Sequence, residues 1–263
     1  MFVLTLLLFL VVSTYAAPHY PPAPEVVNND VATAYGLMVW TRTTPENMKC
    51  FKSSGYQTIF IQSFSHGAFN TDSVATVRNA YHTGIGVEIY MDPDPSSDVE
   101  GSQQLDMMVG GLENNGILVR TVWITVTNNA YMWPTDQIKN TIFIDSILTR
   151  ARQLGLSVGI YTNANEWSLI TNNWSAGSDV LLWYWSITGC GIDGESPQNF
   201  DDYVAFGGFK TVLVKQFAMG ETVCQLPVHR DIYSVGVSLE KQSSLVSSAD
   251  KIIVWIVAIL FII

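Results

Sequence analysis

The feature that most constrains this chain is an alternation. Between residues 32 and 162, short runs of strand formers take turns with segments of helical period. Strands are predicted at 32–40, 57–63 (QTIFIQS), 85–91, 120–127 and 156–162 (LSVGIYT), from their β-branched and aromatic content. Helices are predicted between them. The segment 45–55 has Thr44 as cap and Gly55 past its end. The segment 71–84 puts Val74, Val77, Ala80 and Tyr81 on one face and stops at Gly84. The segment 98–116 is weakened in its middle by Gly110-Gly111. In the segment 134–154, Pro134 fits the first position and Ile138, Ile142, Ile147, Leu148, Ala151 and Leu154 form the buried face. Beyond residue 162 the alternation lapses. Residues 166–171 make at most a short helix, and strands at 180–186, 211–217 and 226–233 are joined by Gly-rich loops. The expectation is an α/β fold, a single (β/α) barrel of eight strands with an irregular, helix-poor second half, spanning 33–235.

The central strand carries the functional question. Its stretch RTVWITVTNN, residues 120–129, reads as a buried strand ending in a polar loop at Asn128-Asn129. Residues two apart on a strand point the same way, so Thr125 and Thr127 share a face just before the strand ends. That end is where a β/α barrel carries its catalytic groups. Two hydroxyls there have no usable pKa near neutrality. The pattern is an enzyme scaffold without central acids.

The two ends of the chain speak of compartment. Residues 1–16 are an apolar run closing on Ser-Thr-Tyr-Ala, the pattern of a signal peptide cut after Ala16, although no Lys or Arg precedes the apolar core. A Pro-rich leader, 17–32, follows. At the other end a polar, Ser-rich spacer, 236–251, leads into a wholly apolar tail, 252–263. A spanning helix needs about 20 residues, so the tail reads as a glycolipid-anchor signal, with a retained short membrane segment as the alternative. Attachment falls within 236–238 or at Ser243. The expected location is secreted or on the outer face of the plasma membrane, with membrane contact only through this tail or anchor.

The 263 residues carry a formal net charge of −10, which neither end segment alters and which argues against nucleic acid as a partner. Cys50, Cys190 and Cys224 allow three single disulfide pairings and lack metal-ligand spacing. No motif implies a cofactor. Asn173-Trp174-Ser175 is a glycosylation sequon. Asp193, Glu195, Asp201 and Asp202 lie in a Gly-, Pro- and Asn-rich loop and read as solvated.

Several runs, in this order and spacing, resemble glycoside hydrolase family 25, the lysozyme family with a β/α barrel, and most of all its animal branch. They are Tyr35-Gly36-Leu37-Met38-Val39, Ala80-Tyr81-His82-Thr83-Gly84-Ile85, the strand 156–162, Leu182-Trp183-Tyr184, and Phe206-Gly207-Gly208-Phe209 leading to Lys215-Gln216-Phe217. The resemblance covers roughly residues 34–233. It implies an Asp and a Glu one residue apart on the central strand, an Asp after Tyr-Gly-Val near the N-terminus, and an Asp on the last strand. Those places hold Thr125 and Thr127, Met38, and His229, with Asp231 taking the last place if the alignment slips by two. Glycoside hydrolysis needs a carboxylic acid and a carboxylate about the scissile bond, so the resemblance implies a lysozyme scaffold without lysozyme chemistry.

What the resemblance leaves is a sugar groove lined by Tyr35, Tyr90, Tyr161, Trp183, Tyr184 and Trp185, aromatic faces that stack on sugar rings, for a peptidoglycan-like or other glycan. Two acids are candidates to replace the lost ones, Glu88 and Asp231. Glu88, Tyr90 and Asp92 alternate on one face of the third strand, which points Glu88 inward; Asp92, in Asp92-Pro93-Asp94-Pro95, reads as turn chemistry. Animal relatives carry cysteines where Cys50 and Cys224 fall, which implies that pair and leaves Cys190 odd. Innate defence is the setting the resemblance implies. A structural ectodomain that binds a protein is the remaining reading.

Overall fold

The computed structural model describes residues 33–127, 133–235 and 252–253. The signal-like run, the Pro-rich leader, the spacer, Asn128-Asn129 and the tail beyond Ile253 lie outside the described residues. The first half runs β1 (Thr33–Val39), α1 (Pro45–Ser53), β2 (Thr58–Ser65), β3 (Ala68–Phe69), α2 (Asp72–Thr83), β4 (Gly86–Met91) and α3 (Gly101–Glu113). It continues through β5 (Ile117–Leu118), β6 (Thr121–Thr125), α4 (Gln137–Gln153), β7 (Ser157–Thr162) and α5 (Ala164–Thr171). The second half holds β8 (Leu181–Trp185), a 3-10 turn at Ile192–Gly194, β9 (Val214–Val223) and β10 (Leu226–Ser234). Ile252–Ile253 pairs with β5.

Eight strands close on themselves in the order β1, β2, β4, β6, β7, β8, β9, β10 and back to β1. All run parallel except β10, which is antiparallel to both β9 and β1. The strip β3 folds back on β2 through His66 and Gly67, both at positive φ, 51° and 71°. The predicted barrel of eight strands and its helix-poor second half are therefore both present.

The barrel interior is filled, not hollow. Inward residues include Met38, Phe60, Tyr90, Trp123, Tyr161, Trp183, Val214 and Tyr233. The Trp183 ring is the hub, with centroids 4.3 Å from Phe60, 4.7 Å from Tyr161 and 5.8 Å from Trp123. Gly159 makes room for this packing: a Cβ there would come within 2.2 Å of the Trp123 ring. Around the barrel, the strands' outward faces meet the helices in the larger core, for example Leu37, Ile59, Ile89 and Ile160 against Phe51, Val77 and Ile147.

Three helices depart from the sequence reading. The helix α4 starts at Gln137, because the Asp136 carboxylate accepts from the backbone N–H of Ile138 and Lys139, both at 3.1 Å, and so caps better than Pro134 begins. Its buried stripe is Asn140, Ile144, Ile147, Leu148 and Ala151, while Ile138 and Ile142 are 72% and 65% exposed. Asn140 holds an apolar position because its amide donates to the Pro134 and Ile170 carbonyls, at 2.8 and 2.9 Å; Leu154 is also exposed. On α2 the buried stripe is Ser73, Val74, Thr76, Val77 and Ala80, which leaves Tyr81 outside. On α3, Gly111 has a packing reason: a Cβ there would meet the Phe69 ring at 2.6 Å.

Cys50 on α1 bonds to Cys224 in the β9–β10 turn, a link between residues 174 apart. This is the pair that the resemblance implied. Cys190 is free and exposed.

Candidate functional site at the barrel mouth

Seven of the eight barrel strands end on one rim, and that rim is the mouth. The antiparallel β10 reaches it with its early residues. Its register with β1 sets Met38 opposite His229 and Gly36 opposite Asp231. Residues directly opposite on antiparallel strands share a face. Met38 points into the barrel, so His229 does too, at the level of the mouth, with Asp231 one step deeper.

On the β2–β4–β6 side, three residues form a hydrogen-bonded group. The Thr125 hydroxyl donates to Asp92 Oδ1 at 2.5 Å, and Gln62 Nε2 donates to Asp92 Oδ2 at 2.5 Å. Burial pushes the Asp92 carboxyl above its usual range, against the pull of Thr125, Gln62 and the nearby His66 charge. The turn chemistry expected of Asp92 belongs to Asp94 instead, whose Oδ1 accepts from the Ser96 N–H at 3.0 Å. Asp92 is thus a mouth carboxyl that sequence reading set aside.

The opposite side is built by β7, α5 and β8. Asn163 caps α5 by accepting from the Glu166 N–H at 2.9 Å. The Glu166 side chain turns toward β8, where Oε2 accepts from Trp185 Nε1 at 3.3 Å. Between the two sides stands Tyr161, with its hydroxyl against the Gln216 amide. Burial first, then the charges of Asp231, Glu166 and Asp92, push that phenol well above its ordinary pKa.

The deeper acids are sealed. Asp231 is fully buried and accepts from Trp183 Nε1 at 2.8 Å; burial holds its carboxyl well above the usual range. Glu88 accepts from Trp123 Nε1 at 2.9 Å and is pushed up to about 8 by burial. It points inward as its parity requires, but it precedes Tyr90 on a parallel strand and so lies one step farther from the mouth, behind the Tyr90 and Trp123 rings. As a replacement acid it has no route to a ligand at the mouth. His229 is held neutral: burial lowers it to about 4, and its Nδ1 accepts from the Gly220 N–H at 3.0 Å.

The six aromatic residues expected in a groove divide. Tyr35 and Tyr184 face outward, since each is flanked in sequence by inward residues. Tyr35 packs on Phe217 and donates to Gln198 Oε1 at 3.4 Å, and Tyr184 packs on Tyr203. Tyr90, Tyr161 and Trp183 face inward at 1%, 4% and 0% exposure, so they form the floor rather than the walls. Among the described residues, the partly exposed indoles at the mouth are Trp40, its ring tilted against that of His229 with centroids 4.7 Å apart, and Trp185. Trp185 is among the aromatic residues expected at the groove; strand parity, two residues beyond Met38, would have found Trp40. Asn173 is exposed, and its Oδ1 accepts from the Gly207 N–H at 3.0 Å.

Comparison with known proteins supplies the family. A family profile described as "Lysozyme-like protein 1" matches residues 29–217. Lysozyme-like protein 1 of Caenorhabditis elegans is 52% identical over 220 residues, 82% of this chain and 74% of that protein. A probable GH family 25 lysozyme 2 of Dictyostelium discoideum is 30% identical over 189 residues, 71% of this chain and 84% of that protein. The chain belongs to the lysozyme-like proteins of glycoside hydrolase family 25. The barrel agrees: the bacterial lysozyme of Streptomyces coelicolor superposes with a TM-score of 0.59 at 19% identity, covering 76% of this chain and 91% of that one.

Within this lysozyme-like fold, three places where the resemblance puts acids hold other side chains, and the fourth falls on His229 or on Asp231. Met38 is an apolar plug, 7% exposed. Thr125 and Thr127 are 7% and 9% exposed hydroxyls, the first given to Asp92. On the last strand, His229 stands at mouth level and Asp231 beneath it.

Proposed function

We propose that this lysozyme-like protein binds glycan at the barrel mouth without hydrolysing it. The observation that carries the reading is the Thr125 hydroxyl, which stands where the resemblance implies a carboxyl and is committed to Asp92. Cleavage of a glycosidic bond needs one group to protonate the leaving oxygen and a second to support the charge that develops at the sugar carbon. A positioned general acid contributes about 10²–10⁴-fold, and a threonine hydroxyl supplies no such proton near neutrality. Asp92 is the mouth carboxyl nearest the lost pair, and both its oxygens already accept hydrogen bonds.

The setting we propose is extracellular. Residues 1–16 have the pattern of a secretory signal, and the tail that of a glycolipid-anchor signal. A disulfide between Cys50 and Cys224 suits an oxidising compartment. Innate defence is the biological role this family membership suggests.

The test is release of label from peptidoglycan by the purified full-length protein from acid to neutral pH, with Asp92→Asn and Glu88→Gln beside it. The expected result is no release above a denatured control, together with retention of the protein on an immobilised glycan. Release that is abolished in Asp92→Asn would overturn the reading and make Asp92 a relocated acid.

A further inference from the structure

Resting on the extracellular setting proposed above, we infer that Asn173 carries an N-linked oligosaccharide, held on the pole of the barrel opposite the mouth. Asn173-Trp174-Ser175 is the one such sequon in the 263 residues. Attachment precedes folding, so the finished fold has to leave room for a bulky, solvated group at that amide. The chain leaves α5 through two left-handed residues, Asn172 and Asn173, at φ 55° and 59°, a conformation that asparagine tolerates. Asn173 is exposed, and its Oδ1 accepts from the Gly207 N–H at 3.0 Å. An amide is planar, so this bond also fixes the direction of Nδ2, which has no hydrogen-bond partner among the described residues. Attachment takes Nδ2 and spares Oδ1; the Gly207 bond and the oligosaccharide therefore coexist. Trp174, the bulky middle residue, is engaged elsewhere. Its ring stacks on Trp167 with centroids 6.1 Å apart and 22° between planes, and its carbonyl accepts from Trp167 Nε1 at 2.7 Å. Ser175, whose hydroxyl completes the sequon, is exposed.

Topology sets the place. The helix α5 begins at the mouth, where β7 ends, and β8 runs back toward the mouth from Leu181, so the link 172–180 turns at the base. Gly207 and Gly208 are seated against it: a Cβ on the first would come within 2.3 Å of Trp167 Nε1, and one on the second within 2.3 Å of Ser175 Oγ. An oligosaccharide on Asn173 thus stands at the base and leaves the mouth open. The donor is an oligosaccharide joined to a polyprenol through pyrophosphate. A bond forms between Nδ2 and the anomeric carbon, the bond from that carbon to the pyrophosphate oxygen breaks, the polyprenyl pyrophosphate leaves with the electron pair, and Nδ2 gives up one proton.

The experiment is expression of the full-length chain in insect cells in two forms, one with its own residues 1–16 and one led instead by the signal peptide of an established secreted protein. Each is compared by gel mobility before and after a peptide N-glycosidase, and residue 173 is read by mass spectrometry for the amide-to-acid conversion which that enzyme leaves behind. The expected result in both forms is a single step in mobility, removed by the enzyme, with conversion confined to residue 173. Asn173→Gln should lose the step. Ser175→Ala should lose it while keeping the Asn173 bond to Gly207, and Ser175→Thr should retain it. Because attachment precedes folding, the step is read whether or not a variant folds. No step with the supplied signal peptide, or a step that persists in Ser175→Ala, overturns the inference. A step with the supplied signal peptide and none with residues 1–16 keeps the site and overturns the secretory reading of those residues.

Discussion

Thr125 and Asp92 sit at the ends of neighbouring parallel strands, and the hydroxyl of one donates to the carboxyl of the other at 2.5 Å. With Gln62 on the next strand, they form a three-strand clasp across the mouth. A carboxyl at residue 125 would put two acids in direct contact, so the threonine and Asp92 are complementary.

The clasp has a measurable strength. Thr125→Val keeps the volume and removes the donor, leaving a buried carboxyl with one partner fewer. The expected cost is about 1–3 kcal/mol in urea denaturation, with Thr125→Ser close to the parent.

Stability should depend on pH through the buried acids. Glu88 titrates near 8 when folded against an ordinary 4.5. Its contribution is therefore full below about 4.5 and is lost as pH rises through 8. Asp231, Asp92 and Glu221 are shifted in the same direction. His229 is lowered to about 4 from 6.5, so its contribution is full above 6.5 and is lost as pH falls toward 4. The two effects oppose each other between about 4.5 and 6.5, and above 6.5 the acids act alone. The melting temperature should fall from pH 6.5 to 8.5, and Glu88→Gln should flatten that fall. An unchanged slope would assign the effect elsewhere.

A second charged group stands outside the barrel. Arg230, 3% exposed, donates to Glu195 at 2.6 Å and to Glu221 at 3.1 Å, and lies over the Phe217 ring. Arg230→Met leaves two carboxyls facing each other without a cation. A loss of about 3–5 kcal/mol is expected by chemical denaturation. Limited proteolysis should then cut first near Glu195, in the excursion between β8 and β9 that this contact pins.

The disulfide should matter for stability and little for the mouth. Replacing Cys50 and Cys224 by Ser should cost about 2–5 kcal/mol by denaturation, because the bridge closes a long loop of the unfolded chain. Glycan affinity of the folded fraction should stay within about twofold.

The strands were legible because their content and spacing are regular: all eight exist and seven fall within two residues of the expected bounds, while β9 runs Val214–Val223 instead of 211–217 because its second half is held by the hairpin with β10. The side-chain directions were less so. Tyr35 and Tyr184 were expected at the groove because they stand near strand ends, yet parity turns both outward, and only register reveals which parity faces in. Asp92 looked like half of an Asp-Pro turn, because its partners Thr125 and Gln62 belong to strands far away in sequence. Ile138 and Ile142 fit a helical stripe as well as Ile144 does, and a polar residue, Asn140, decided between them through contacts that no local pattern encodes.

The reversal of the last strand has a bearing on how the molecule is presented. Because β10 runs against its neighbours, Ser234 comes to rest beside Thr33. Entry to and exit from the barrel are therefore on one pole, and the mouth is on the other. A tether pulling through either end would hold the molecule by its closed base and aim Trp40, Asp92 and Trp185 away from the surface it is tied to.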